Sequence, residues 1–129
     1  MKKKISIIAT MSIILFTLCI STSTAASAKK KKVKYLGKYK ITAYCGCRFC
    51  SGKWGDRTAS GRKAKAGRTI AVDRRKIKLG TKIRIKGKTY VAEDVGGGVK
   101  GKHIDIYFKS HRKVRKFGRK NNVKIYKIK

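Results

Sequence analysis

The sequence predicts a mainly β domain, a small barrel or sandwich of six short strands with one short helix before the last strand. From Tyr35 onward, short segments rich in Ile, Val, Tyr and Thr are separated by Gly or Lys-Gly turns. The chain has 13 glycines and no proline, so its turns depend on Gly, Asp, Asn and Lys. A length of 129 residues predicts a single domain.

The individual elements follow from local patterns. Segment 110–120 is helical in character, because Val114 and Phe117 stand three residues apart behind Ser110, a residue type that caps helices. The predicted strands share β-branched and aromatic residues and flanking turn residues, and they occupy 38–44, 69–73, 81–87, 88–95, 103–108 and 122–129.

The N-terminus has the parts of a secretory signal peptide. Three lysines precede an apolar run, and small residues follow at Ala26 and Ala28. We therefore expect a signal peptide over 1–28, a solvated basic leader over 29–38 and the folded domain over 39–129. An uncleaved N-terminal anchor is the alternative reading. Export predicts a secreted protein that contacts the membrane only through its signal peptide.

The charge of the chain is strongly positive, with 37 Lys and Arg against five Asp and Glu. Removal of residues 1–28 takes away three lysines and no acid, which leaves 34 basic against five acidic residues, a formal +29. Such a field attracts polyanions through counterion release. For an exported protein these are teichoic acids, anionic lipids and peptidoglycan carboxylates. The charge therefore predicts retention on a cell wall and no specific nucleic-acid binding.

Cys45, Cys47 and Cys50 are the cysteines left after signal removal. An odd number cannot pair completely in disulfides, although a Cys47–Cys50 bridge beside a free Cys45 fits an exported protein. Three thiolates with His103 or His111 would give a four-coordinate zinc site. The spacing lacks a second Cys-x-x-Cys pair and an obvious fourth ligand. We therefore expect free or disulfide-bonded thiols, no metal and no cofactor.

Three of the five acidic residues fall in the stretch "AEDVGGGVKGKHIDIYF". Asp94 and Asp105 flank its Gly-rich loop. Period-two alternation puts Asp105 opposite the apolar face of its strand, and Asp94 on the same face as Tyr90 and Ala92. The loop lacks the Ser or Thr and the following helix of a phosphate-binding loop, which argues against nucleotide binding.

The ordered segments "AVD", "LGT", "AEDVGGGVKG" and "IDIYF" resemble the 3D domain, named for three aspartates that here match Asp73, Asp94 and Asp105. Upstream, "ITAYC", "CSGKW" and "TASG" also resemble secreted, wall-associated 3D proteins of Gram-positive bacteria. The resemblance covers residues 40–127 and departs at Val95, where the family has threonine. It implies a six-stranded double-psi β-barrel similar to the catalytic barrel of membrane-bound lytic transglycosylase A.

The resemblance also implies a reaction. Ordinary glycosidases place two carboxylates across the scissile bond, whereas a lytic transglycosylase uses one group as acid and then as base, closing a 1,6-anhydro ring without water. By resemblance that group is Asp105, and Asp94 and Asp73 orient it or stabilise developing positive charge. The alternative for Asp73 and Asp94 is that both are turn residues whose side chains bond local amides.

Three residues are predicted to contact substrate. Thr42 and Tyr44 resemble the first-strand Thr-x-Tyr of related barrels, although Tyr44 fits a core position equally well. Lys100 would meet either a muropeptide carboxylate or only solvent. Trp54, the sole tryptophan, either covers the barrel or binds glycan. His103 is expected to be an ordinary strand residue.

The sequence therefore predicts a secreted, monomeric enzyme that cleaves the glycan strands of peptidoglycan. One alternative is a non-catalytic, expansin-like wall-binding module retained by its charge. Another is a cationic protein that disrupts membranes or binds nucleic acid, but the regular strand pattern argues against it.

Overall fold

The computed structural model describes residues 31–129, so the predicted signal peptide lies outside the described residues. The secondary-structure elements follow in the order β1 (Val33–Tyr44), α1 (Arg48–Ser51), a 3-10 turn (Gly52–Trp54), β2 (Thr69–Val72), β3 (Lys82–Ile85), β4 (Lys88–Asp94), β5 (His103–Tyr107), α2 (His111–Phe117) and β6 (Lys120–Ile128). The predicted mainly β fold with six strands and a helix before the last strand is confirmed. The turn of helix at α1 was not predicted.

The six strands form one closed sheet in the order β1-β5-β2-β4-β3-β6, with β6 pairing back onto β1. The pairs β1–β5 and β2–β4 are parallel, and the other neighbouring pairs are antiparallel. β3 and β4 form a tight hairpin, because Lys86 and Gly87 both have positive φ, 46° and 79°, as the two-residue turns of twisted hairpins require.

The core lies inside the closed sheet and is built mainly from isoleucine. Five of the six strands each supply one isoleucine with at most 1% exposure, and β4 supplies Ala92 instead. Burying each isoleucine contributes about 1.5–3 kcal/mol. The isoleucines are Ile41, Ile70, Ile83, Ile104 and Ile125. The alternation behind the strand predictions therefore does select the inward-facing residues.

The predicted basic leader over 29–38 is wrong for residues 33–38, which form the first half of β1. Val33 pairs with Ile128, and Tyr35 pairs with Tyr126 with their rings 5.3 Å apart. The side chains of residues 33–35 are exposed. The sequence therefore resembles a solvated tail, although its backbone is paired in the sheet. Within residues 31–129, no helix combines the length and apolar character needed to cross a membrane.

Candidate active site

Strand register brings four residues into one row across the sheet. Thr42 of β1 is opposite Asp105 of β5, Asp105 is opposite Ala71 of β2, and Ala71 is opposite Asp94 of β4. Residues opposite each other in register face the same side of a sheet. The two aspartates therefore lie on either side of Ala71, with their Cα atoms two strand spacings or about 10 Å apart. Because the Ala71 side chain is small, the surface of the row is lower at its centre than at the two aspartates.

Asp105 is a partly buried carboxyl in the middle of β5. Desolvation by burial raises its pKa, and the negative charge of Asp94 acts in the same direction. A 2.9 Å hydrogen bond donated by Thr42 to Oδ1 and the positive charges of His103 and Lys40 oppose this, but the net pKa stays above the ordinary value. Such a carboxyl holds a proton more readily than an exposed aspartate does.

The ring of His103 reaches Asp105 through Thr42. The Thr42 hydroxyl donates its one proton to Asp105, so its oxygen accepts from His103 Nε2–H, 2.8 Å away. The other ring nitrogen, Nδ1, lies 3.1 Å from the carbonyl oxygen of Gly98, which only accepts. His103 is thus a strand residue, as expected, and also the end of a hydrogen-bond chain to Asp105.

Asp94 is fixed by three donors. The Tyr44 hydroxyl donates to Oδ2 at 2.7 Å, and the backbone N–H groups of Ala59 and Val95 donate to Oδ1 at 3.0 and 2.9 Å. Burial and the bond to Asp94 raise the pKa of Tyr44 far above its ordinary value, so the phenol keeps its proton and remains a donor. The arrangement holds a carboxylate in one position beside Asp105.

The predicted face of Asp94 is wrong, because a β-bulge interrupts the alternation in β4. Ala92 pairs with Ile70, but the next residue of β2, Ala71, pairs with Asp94 and skips Glu93. One extra residue turns every following side chain to the opposite face. Asp94 therefore leaves the core face of Tyr90 and Ala92 and joins Asp105.

The skipped residue, Glu93, is 3% exposed and stabilises the bulge. Arg68 donates to Oε1 from Nε and Nη2 at 3.0 and 2.7 Å, and the Thr69 hydroxyl donates to Oε2 at 2.8 Å. Burial raises the pKa of Glu93, but these hydrogen bonds outweigh it and hold the pKa below its ordinary value. Glu93 is a structural ion-pair residue.

Asp73 lies at the end of β2, outside the row. Arg75 grips it with two side-chain bonds of 3.0 and 2.8 Å, the Arg75 N–H donates to Oδ1, and the Gly101 N–H donates to Oδ2 at 2.9 Å. The Arg75 guanidinium, with the Gly101 amide, holds the pKa of Asp73 well below its usual range. Asp73 ties the Gly-rich loop to β2, and this geometry favours the turn-residue alternative over direct contact with substrate.

A cavity of about 450 Å³ opens above Asp94 and Asp105. Tyr44 forms part of its lining, and Cys50, Ser51 and Trp54 of the α1 region form another part. Trp54 is 64% exposed, so it is available to stack on a ligand and does not cover the barrel core.

Lys100 is exposed and lines a separate cavity with Asp73, Arg74 and Arg75. Among the predicted site residues, the structure therefore gathers Thr42, Tyr44, Asp94 and Asp105. It leaves Lys100 and Asp73 outside their cavity.

The three cysteines and His111 meet at the other side of α1. The expectation that the cysteines lack a fourth ligand is wrong, because the Sγ atoms of Cys45, Cys47 and Cys50 and Nδ1 of His111 all lie within 4.8 Å of one another. The three cysteines are free thiols in the structure, without the considered Cys47–Cys50 bridge. His111 follows Cys45 by 66 residues, so local spacing contained no signal for this contact.

Comparisons with known proteins place these features in a family context. Residues 68–129 match the family model of the 3D domain. Over 84 residues the chain is 38% identical to the putative cell wall shaping protein YabE of Bacillus subtilis (strain 168), covering 61% of this chain and 20% of YabE. The chain thus spans about a fifth of the length of this relative.

Among solved structures, the lytic transglycosylase MltA of Escherichia coli has a similar fold. One variant of MltA in an apo form matches with a TM-score of 0.50 and 24% identity, over 57% of this chain and 27% of that chain. Another MltA structure gives a TM-score of 0.49 and 27% identity over the same shares. The first match establishes likeness of fold alone.

The family match begins at residue 68, so β1 with Thr42 and Tyr44 lies before it. The match contains all three aspartates on which the resemblance rests. Residues 68–129 therefore match the 3D domain model, and this part of the chain holds Asp73, Asp94 and Asp105.

Proposed function

We propose that the protein is an exported cell-wall enzyme that cleaves the glycan strands of peptidoglycan by a lytic transglycosylase reaction. Asp105 in its protonated form gives its proton to the glycosidic oxygen as the bond from C1 breaks. The resulting carboxylate then takes the proton of the muramoyl C6 hydroxyl, whose oxygen bonds to C1. The products are a new chain end and a 1,6-anhydro ring, and no water is consumed.

The observation that carries this proposal is the pairing of two unlike carboxyl groups under one cavity. Burial raises the pKa of Asp105, as a general acid at neutral pH requires. Asp94 already accepts three hydrogen bonds, so its oxygens have little remaining capacity to take a proton from water as a second base. Its fixed negative charge instead favours the positive charge that develops at C1.

The family context supports the cell wall as the place of action. YabE is described as a putative cell wall shaping protein, and MltA as a lytic transglycosylase. We propose further that the closed sheet is a double-psi β-barrel. We also propose that a signal peptide over residues 1–28 directs export, that the net positive charge binds peptidoglycan and teichoic acid, and that the protein acts as a monomer without a catalytic cofactor.

Asp105→Asn tests the proposal. The amide keeps the size of the side chain but cannot give and recover a proton, so cleavage of purified peptidoglycan should fall by about 100- to 10,000-fold, while sedimentation with the wall stays unchanged. Asp56→Asn is the matched control, because Asp56 accepts a hydrogen bond from Tyr107 away from this cavity. Equal activity of Asp105→Asn and wild type would defeat the assignment.

The second candidate is a wall-binding module without catalysis. It is favoured by the net charge, +32 for the full chain and +29 without residues 1–28, and by the exposed aromatic side chains of Trp54 and Phe49. If wild-type protein binds walls in a salt-dependent way but releases no soluble glycan at any pH between 4 and 8, this candidate replaces the enzyme.

A further inference from the structure

Four soft ligand atoms converge beside α1. Nδ1 of His111 lies 3.9, 3.6 and 3.4 Å from the Sγ atoms of Cys45, Cys47 and Cys50. In a tetrahedral zinc site with Zn–S of about 2.3 Å and Zn–N of about 2.0 Å, sulfur and nitrogen are about 3.5 Å apart and two sulfurs about 3.8 Å. Cys45 and Cys47 are closer, at 3.2 Å, so that pair would have to open by a fraction of an ångström.

The local backbone sets up this geometry. Cys45 follows the last residue of β1, Cys47 caps α1 and Cys50 lies in its single turn, where the backbone N–H of Cys50 bonds to the Cys47 carbonyl. Gly46 permits a close approach, since a Cβ there would overlap the carboxylate of Asp56. A sharp turn bearing Cys-x-x-Cys is a usual carrier of zinc thiolates.

The histidine comes from a distant element. His111 begins α2, so four ligands from two separated segments converge on one point. The other histidine of the chain, His103, is engaged with Thr42 and Gly98. A disulfide between two of the thiols would leave one cysteine and His111 without a role, whereas a Cys3His site uses all four.

We propose that Cys45, Cys47, Cys50 and His111 bind one Zn²⁺ ion as a structural site. The ion would fasten to the barrel the α1 wall, which is the part of the Asp105 cavity lined by Cys50, Ser51 and Trp54. Any thiol that is protonated before binding releases its proton to solvent. Three thiolates and Zn²⁺ leave one negative charge. The adjoining cavity is lined by Lys63, Lys65 and Lys109 and by one carboxylate, Asp56, so the excess of positive charge favours the negative site.

Few other contacts hold the α1 region: Ser51 Oγ donates to the Cys45 carbonyl oxygen at 2.7 Å, and the Phe49 ring lies edge-on to His111. Neither α1 nor the following 3-10 turn contains a buried residue, and Phe49 is 91% exposed. A helix of one turn has no stability of its own. Yet Cys50, Ser51 and Trp54 line the cavity over Asp105, so the order of this wall decides the shape of the cavity.

Metal content tests the site directly. Purified protein kept reduced, and loaded with Zn²⁺, should retain about one ion per chain after gel filtration. Co²⁺ in place of Zn²⁺ should give the intense near-ultraviolet absorption of thiolate ligation and the visible bands of tetrahedral geometry. His111→Asn should lose most of the retained metal, and His103→Asn, the matched control, should keep it. Retention below about 0.2 ions per chain in wild type, or equal retention in the two variants, would overturn the site.

The effect of zinc on the order of the α1 wall can be measured separately through the fluorescence of Trp54, the sole tryptophan. Removal of zinc by a chelator should lower the fluorescence anisotropy of Trp54, and added Zn²⁺ should restore it. If the anisotropy is unchanged although all the metal has been removed, zinc does not order the α1 wall, and only the assignment of the metal ligands remains. These measurements need no glycan cleavage. Only the further expectation that chelation lowers cleavage rests on the proposed function.

Discussion

Tyr44→Phe tests whether Asp94 contributes to the reaction as a fixed carboxylate. The change removes one hydroxyl and keeps the ring. The lost bond to Asp94 is 2.7 Å long, and hydrogen bonds to charged groups contribute about 1.5–3 kcal/mol. Because two backbone donors remain on the other oxygen, we expect a loss of about 1.5–2 kcal/mol. If this applies to the transition state alone, kcat/KM falls roughly 10- to 30-fold with little change in KM.

The matched control for this experiment is Tyr107→Phe. Its hydroxyl donates to Asp56, outside the cavity, from a ring 5.4 Å from that of Tyr44. Initial rates of soluble glycan release from purified peptidoglycan at several substrate concentrations would separate kcat from apparent KM. Equal losses in the two variants, or a Tyr44→Phe loss confined to KM, would refute the role of Asp94.

Three further predictions follow from the same structure. Because the folded-state pKa of Asp105 lies above its unfolded value, the contribution of Asp105 to stability declines as pH rises from about 4 through the folded pKa. Asp105→Asn removes this contribution, so its Tm at pH 7 should equal or exceed that of wild type, and a lower Tm contradicts the burial argument. Gly46→Ala should lower Tm through its clash with Asp56, while Gly97→Ala, with open space at its Cβ, should not; equal Tm values for the two would show that the turn yields. Retention on purified walls should fall steeply between ~50 and ~500 mM salt, since released counterions supply the affinity, and binding that ignores salt would exclude charge as the anchor.

The strands were predictable because their pattern is local. The five isoleucines with at most 1% exposure all belong to segments with alternating residues between turn signals, and Ser110 marked the start of α2. Ile77, between β2 and β3, is a core isoleucine outside such a segment. Asp105 was also placed correctly, because β5 has no irregularity in its pairing. The resemblance to the 3D domain supplied the chemistry that alternation alone cannot give.

The errors arose where distant segments decide the structure. The exposed residues from Val33 onward look like a tail until β6 pairs with them. The bulge at Glu93 depends on a register with β2 and on the Arg68 ion pair, neither of which the β4 sequence reveals. His111 reaches the cysteines because α2 packs against β1. Each of these contacts joins segments that are far apart in the chain, so no short window of sequence contains both partners.

The most direct test of a single-acid mechanism at Asp105 is the chemical nature of the new chain ends. Digested peptidoglycan, analysed by mass spectrometry after incubation with wild-type protein, should contain muropeptides with 1,6-anhydro ends, lighter by one water than the reducing ends that hydrolysis produces. Asp105→Asn should yield none above background. Release of reducing ends alone by wild type would contradict the account, because it would require a second carboxylate, with Asp94 the nearest candidate, to activate water.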